Sequence, residues 1–216
     1  MPKGFVPLRL GGETMQGHLF TGLYIVGLLA ATFIRARFGS RKDDGDCQTR
    51  RRFFDLFFLG LTAVGMLLPL VGAFTPIFAF SDYPTWVWLR GIGGALFLCA
   101  VGLLGKSHAD LGRNWALVPE ILEGQAMVER GVFAHVRHPI YAAYLLWGFG
   151  QIALFPNWVT GPATLLGFVP LYFLRVGNEE KMLLDHFGED YARYMRRTGR
   201  LIPRITQSLP WGSQPD

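Results

Sequence analysis

Apolar runs dominate this sequence and limit what it can fold into. Three of them cover residues 18–33, 53–80 and 86–105, and two more cover 139–155 and 158–176. Half of all residues are hydrophobic, and the mean hydropathy is +0.26. A helix of roughly 20 apolar residues crosses a bilayer, and backbone in lipid must satisfy its own hydrogen bonds. We therefore predict an all-α, polytopic membrane protein with about five transmembrane helices.

The basic residues lie between these runs in a pattern that predicts orientation. Of the 21 Lys and Arg, 18 fall between the first and second runs, between the third and fourth, or at and after the end of the fifth. Such residues stay preferentially on the cytoplasmic side. We expect an integral protein of the cell inner membrane with its amino terminus outside and its carboxyl terminus in the cytoplasm. This topology accounts for the net charge of +5 better than nucleic-acid binding does. No removable signal peptide is expected.

The chain divides into two functional parts. Residues 1–105 are predicted to form three transmembrane helices with a basic cytoplasmic loop, and residues 106–216 a cytoplasmic cofactor-binding loop, two further spans and a helical tail. Asn178 can cap a tail helix that Gly188 ends, and Asp190 can begin a second one. The polar loop and tail, which hold most of the His, Asp and Glu, then emerge on the same face of the membrane. We expect the tail to lie along the membrane surface.

The start of the fourth run is the candidate active site. Pro139 suits the first position of a helix, so His138 would cap it and Arg137 and Tyr141 would lie at the same helix mouth. Free N–H groups, the helix dipole and an arginine together favour an anionic group there. The alternative is that Arg137 and His138 only anchor the helix at the lipid headgroups.

Several other kinds of site can be set aside. His135 and His138 are three residues apart, but Pro139 interrupts the helix and no third ligand is evident, so no metal site is expected. No glycine-rich phosphate loop or nucleophile elbow occurs. What remains is a cytoplasmic polar cluster that could hold a small zwitterion if the tail folds back on the loop: Arg137, His138, Tyr141, Glu179, Glu180, Tyr191, Tyr194 and Arg200. The alternative for Glu179 and Glu180 is a solvated helix start.

Two separated motifs carry a family resemblance. The loop LGRNWALVPEILEGQAMVERGVFAHVRHPIY and the tail NEEKMLLDHFGEDYARYMRRTGRLIP resemble the isoprenylcysteine carboxyl methyltransferase family, especially its bacterial members. The resemblance covers residues 105–204. It implies several spans, S-adenosylmethionine bound at the cytosolic membrane boundary, and a cofactor pocket that opens toward lipid.

The resemblance also implies roles for individual residues. Arg137 and Arg200 would position an anionic acceptor or the carboxylate of the cofactor. Four positions, Gln125, Glu129, Phe133 and Ala143, depart from the usual family residues and leave the acceptor less defined than the cofactor. The cofactor-binding set is Gln125, Met127, Val128, Gly131, His138, Pro139, Tyr141, Glu179, Glu180 and Tyr191.

The implied reaction is methyl transfer to a lipophilic or lipid-attached acceptor. A carboxylate, thiolate or amine already has a lone pair, so alignment and desolvation can supply much of the rate without a general base. O-methylation of a carboxylate is favoured, with phospholipid N-methylation and thiol S-methylation as alternatives. Two other functions stay open: a sterol-type membrane reductase that uses NADPH, and a non-catalytic membrane scaffold. Neither a metal nor a nucleic acid is expected as a partner.

Overall fold

The computed structural model describes residues 5–6, 15–38, 49–112 and 127–204, and within them the chain is almost wholly helical. Helices α1, α2 and α3 are each long and apolar enough to cross a membrane, and α4 is a shorter apolar helix. The prediction of a helical, polytopic membrane fold is confirmed. The elements are β1 (Phe5–Val6), α1 (Met15–Phe38), α2 (Thr49–Phe74), a 3₁₀ helix (Pro76–Ser81), β2 (Thr85–Trp86), α3 (Val87–Leu111), a 3₁₀ helix (Gly131–Ala134), α4 (Pro139–Leu154), α5 (Ala163–Phe187) and α6 (Glu189–Arg197).

The second apolar run contains two prolines, Pro69 and Pro76, either of which could break it, and helix α2 ends just before Pro76. It passes through Pro69 but ends at Phe74, and Pro76 begins the following 3₁₀ helix. A proline disfavours helical backbone in the residue before it, which explains the break. Strand β2, in the connection between α2 and α3, pairs antiparallel with β1.

Helix α5 is one continuous helix, so the separate tail helix predicted to start at Asn178 is wrong. Asn178 lies inside α5, and its side-chain nitrogen donates to the carbonyl of Leu174 at 2.6 Å. No proline or turn follows the apolar part, so the helix continues from the membrane into the polar segment. It ends at Gly188, as predicted, with a φ of 56° that favours glycine. One continuous helix therefore carries both the apolar residues of the fifth run and the two glutamates.

Helices α3 and α4 pack closely through small residues. A side chain on Gly93 would come within 2.7 Å of Ala153 and of the backbone of Leu154. Arg90, one turn away, is buried. Its Nε donates to the carbonyl of Leu154 at 3.0 Å, and its guanidinium lies 4.7 Å from the ring centre of Phe20. Arg90 thus joins the amino-terminal half of α1 to the end of α4.

A buried polar network holds α1, α2, α4 and α5 together. The Gln151 carbonyl accepts from the hydroxyls of Tyr24 and Thr164, both within 2.8 Å. Its amide donates to the carbonyls of Gly65, Thr160 and Gly161. Gln151 has no exposed surface. Every group of this side chain is paired, which is what burial away from water demands.

Gln151→Leu should lower the free energy of unfolding by about 1–3 kcal/mol, because the partners that lose their bonds stay buried. The loss should appear as a lower melting temperature of the purified protein in detergent. Phe149→Leu, at a lipid-facing position 55% exposed, is the matched control and should change little. Equal melting temperatures for the two variants would contradict a structural role for this network.

Candidate active site

The tail binds along the residues that precede α4. Helix α4 begins at Pro139 with His138 at its cap, as predicted. The backbone N–H of Arg137 donates to the carbonyl of Gly199 at 2.8 Å, and that of His138 donates to the carbonyl of Arg200 at 3.0 Å. In return, the N–H of Gly199 donates to the backbone carbonyl of His135 at 3.3 Å. Backbone hydrogen bonds thus join the described part of the tail to the described part of the loop.

Two tyrosines of helix α6 hold the tail in place. Tyr191 and Tyr194 are both buried. The hydroxyl of Tyr194 donates to the carbonyl of Phe133 at 2.6 Å, and burial raises the pKa of this tyrosine to about 12. Gly199 then makes a turn so tight that a side chain there would lie 1.7 Å from the carbonyl oxygen of Ile202. The path of the tail therefore depends on a glycine at this position.

Glu180 is the centre of the polar cluster. One carboxylate oxygen accepts from Arg137 Nε at 3.0 Å and from Arg200 Nε at 3.1 Å, and it lies 3.3 Å from His138 Nε2. The other oxygen accepts from Arg200 Nη2. Burial opposes the charge, yet these donors lower the pKa of Glu180 to about 2. Glu180 is therefore a carboxylate at any physiological pH.

Arg137 links this carboxylate to the tail. Besides its bond to Glu180, its Nη1 donates to the carbonyls of Met195 at 3.1 Å and Thr198 at 2.5 Å. The side chain is only 6% exposed, so it is built into the protein rather than free at a membrane surface. The anchor alternative for Arg137 is wrong on this geometry. Its predicted role in positioning an acceptor stays a prediction.

Glu179, the neighbouring residue, has a different environment. The hydroxyl of Tyr141 donates to one of its oxygens, and His138 Nδ1 lies 3.5 Å from the other. Within the described part of the chain, its ion-pair partner within 4 Å is this histidine, not an arginine. Burial raises the pKa of Glu179. A cation placed here would meet a carboxylate whose charge is poorly compensated.

Aromatic rings form a wall beside the two glutamates. The ring of His138 stacks on Tyr141 with centres 5.4 Å apart and planes inclined by 10°. Tyr141 meets Tyr172 edge-on at 5.7 Å, and Phe168 lies 5.9 Å from Tyr141. The carboxylates thus face a surface suited to flat or cationic groups.

The other predicted cofactor contacts are less close to this cluster. Gln125 lies outside the described residues, and Met127 and Val128 begin the described loop as half-buried residues. Gly131 has a φ of 61° and packs against α3, where a side chain would lie 2.0 Å from a carboxylate oxygen of Asp110. Asp110, which the sequence did not single out, also accepts from the N–H of Val132 at 2.9 Å. Asp110 therefore holds the loop to α3.

The sequence reading also missed a buried ion pair next to the cluster. Arg175, one turn before Glu179 on α5, has its Nε 3.3 Å from Asp55 Oδ2 of α2, and both side chains are less than 10% exposed. Arg175 also contacts the hydroxyl of Tyr141. Charge inside an apolar run was the signal that could have found Asp55, since such residues are costly in lipid.

No group of three or more His, Cys, Asp or Glu suited to a metal occurs in the described ranges. The donors that do converge are arginine, histidine, tyrosine and carboxylate side chains at the cytoplasmic end predicted for α4 and α5. This set can bind charged organic groups by hydrogen bonds.

Residues 92–185 match the model of the isoprenylcysteine carboxyl methyltransferase (ICMT) family. The chain is 33% identical over 122 residues to a protein-S-isoprenylcysteine O-methyltransferase of Tribolium castaneum, with 55% of this chain and 43% of that protein covered. It is 32% identical over 110 residues to a cobalt-zinc-cadmium resistance protein of Cupriavidus metallidurans, with 50% of each covered. The chain thus spans about half the length of these curated relatives.

The fold is also similar to that of a solved structure, the eukaryotic intramembrane Ras methyltransferase ICMT. The TM-score is 0.55 at 21% identity, with 88% of this chain and 68% of that one covered. At this identity the likeness concerns the fold alone. Residues 92–185, which hold the RHPxY motif and both glutamates, thus match the model of the family that the two sequence motifs resemble.

Proposed function

We propose that this protein is an integral-membrane methyltransferase that uses S-adenosylmethionine and methylates the carboxylate of a lipophilic acceptor. The observation that carries the proposal is that two adjacent glutamates, Glu179 and Glu180, have different partners. Glu180 is neutralised by Arg137 and Arg200, whereas Glu179 faces a phenol and an imidazole. Such a pair can bind a zwitterion, because Glu180 holds the arginines that can bind an anionic group, whereas the carboxylate of Glu179 can bind a cationic group.

The residues present fit this cofactor. Glu179 would hold its ammonium group, and Arg200, whose side chain is 46% exposed, would hold its carboxylate. The parallel rings of His138 and Tyr141 offer a face for adenine or for the sulfonium. When bound, the cofactor supplies an electrophilic methyl group, and transfer to a carboxylate oxygen leaves a methyl ester and a neutral thioether without moving a proton.

The chain's own residues have a positioning role in this proposal. Tyr191, Tyr194 and the tail up to Arg200 cover the loop before α4 and keep water away from the buried carboxylates. The aromatic wall orients the bound groups beside Glu179. Desolvation and orientation of this kind can lower a barrier without a general base.

A carboxylate attached to a prenylated cysteine is the acceptor we favour. The relatives named protein-S-isoprenylcysteine O-methyltransferase support this choice. Exposed apolar residues beside the candidate site, including Phe53 and Phe57 of α2, would let a prenyl chain remain in lipid. From the distribution of Lys and Arg we infer that the site faces the cytoplasm, with the amino terminus on the opposite side.

One experiment tests activity and orientation together. Sealed inside-out and right-side-out vesicles containing the full chain are given methyl-labelled S-adenosylmethionine and an N-acetylated, S-prenylated cysteine. We expect base-labile label in the lipid fraction from inside-out vesicles and almost none from right-side-out ones. No transfer in either preparation, with the protein present and folded, would reject the activity. Transfer only in right-side-out vesicles would reject the orientation.

A further inference from the structure

Arg35, near the cytoplasmic end predicted for α1, points toward the interior of the helix bundle. Its Nη1 donates to the hydroxyl of Tyr144 on α4 at 3.0 Å, and both side chains are half-buried. Arg37, two residues on, is exposed. Arg35 lies outside the region that matches the family model, residues 92–185.

The charge of Arg35 is not balanced by an acid within the described ranges. The other arginines near the site each have a carboxylate: Arg137 and Arg200 share Glu180, and Arg175 has Asp55. For Arg35, the hydrogen-bond partner is a neutral phenol. A partly desolvated guanidinium at a membrane boundary is costly without an anion. This position therefore favours a negatively charged ligand.

Tyr144 connects Arg35 to the candidate active site. Its ring stacks on Phe168 with centres 5.2 Å apart, and Phe168 in turn lies 5.9 Å from Tyr141. The hydroxyl of Tyr141 reaches Glu179. Tyr144 is about one helical turn further into α4 than Tyr141, so the contact with Arg35 lies one turn beyond the residues assigned to the cofactor.

We propose that Arg35 and the hydroxyl of Tyr144 bind the carboxylate of the methyl acceptor. The inference rests on the proposed function and names the residues that recognise its substrate. A guanidinium has five N–H donors in a planar fork, and the contact with Tyr144 uses one of them. Tyr144 accepts that bond, so its own O–H is available to donate to a carboxylate oxygen. The acceptor's apolar chain can remain in the lipid that α1 faces at Phe33, which is 70% exposed.

The test measures ligand binding and does not depend on catalytic turnover. The full chain in nanodiscs is titrated with an N-acetylated, S-farnesylated cysteine and, separately, with its methyl ester, which has the same apolar chain but no charge. The wild-type protein should prefer the acid by about 10-fold or more, as expected for a charge-assisted pair. Arg35→Gln should reduce this preference to less than about twofold, and Arg35→Lys should restore part of it. Arg37→Gln is the matched control and should keep the full preference.

A second measurement guards against misfolding. Arg35→Gln should retain the thermal shift that S-adenosylmethionine gives the wild type, because Arg35 does not touch the cofactor residues. If this variant does not fold, Tyr144→Phe keeps the ring and removes only the hydroxyl, and it should lower the acid preference by about threefold. A wild-type protein without acid preference, or an Arg35→Gln variant that keeps it, would overturn the proposal. An intact, Arg35-dependent preference without methyl transfer would instead reject the proposed function and leave this anion site standing.

Discussion

Glu180→Ala should reduce the affinity for S-adenosylmethionine at least about 100-fold while the membrane helices stay folded. Glu180 is the shared acceptor of Arg137 and Arg200 and lies 3.3 Å from His138. Removing one partner of a buried charge pair costs about 3–5 kcal/mol, because the other charge, here the guanidinium of Arg137, stays buried without its carboxylate. Arg137 also holds the tail through two carbonyls. Loss of Glu180 should therefore release the tail and the cofactor together.

The measurement is equilibrium binding of labelled cofactor to purified protein, with helicity and monodispersity checked in parallel. Glu180→Gln keeps the shape and some hydrogen bonds, so it should lose less affinity than the alanine variant. Glu189→Ala is the matched control, because Glu189 forms an exposed ion pair with Arg196 on α6, and such pairs contribute at most about 1 kcal/mol. A Glu180→Ala protein that binds the cofactor as tightly as Glu189→Ala would refute the central role of this carboxylate.

Local rules predicted the start of α4 well, because the information lies in neighbouring residues. Proline fixes its own φ and lacks an N–H, so Pro139 could be placed at the first helical position and His138 at the cap from sequence alone. The end of α5 at Gly188 followed in the same way. The same local reasoning failed at Asn178, where a residue that often caps helices lies inside one. Its side chain donates to the carbonyl one turn back, and a cap signal alone does not exclude this.

Contacts between distant residues could not be read from one sequence. Arg35 and Tyr144 are 109 positions apart, and Asp55 meets Arg175 from another helix. Each of these residues could equally have been a topological charge or a headgroup anchor. Which helices pack together decides the matter, and apolar periodicity does not encode helix order in a membrane. The convergence of Glu179, Glu180, His138 and Tyr141 was expected from the family resemblance, whereas the division of labour between the glutamates required the geometry.

That division of labour follows from the spacing of the two glutamates on α5. Adjacent residues on a helix point about 100° apart, so they meet different neighbours. Glu180 points toward the tail and its arginines, whereas Glu179 points toward the ring of Tyr141. As a result, the carboxylate of Glu180, which is paired with arginines, lies beside the carboxylate of Glu179, which lacks an arginine partner among its described contacts. A ligand that carries both an anion and a cation can use both.

Glu179→Gln should weaken S-adenosylmethionine binding by about 2 kcal/mol, or roughly 30-fold, because the variant loses a charged hydrogen bond to the ammonium group but keeps the shape of the side chain. The pH dependence should change as well. Burial raises the pKa of Glu179, so its carboxylate is present above that raised value and is lost as pH falls through it. Wild-type affinity should therefore begin to fall at a pH above the usual Glu value of about 4.3.

In Glu179→Gln this acid limb should disappear. Glu180 does not confuse the measurement, because its pKa of about 2 keeps it charged throughout the range. Isothermal titration of cofactor into wild type and variant between pH 5 and pH 8 gives both quantities. Equal affinities at neutral pH, or an acid limb that survives the substitution, would mean that the ammonium group is bound elsewhere and that Glu179 serves only to hold Tyr141 and His138 in place.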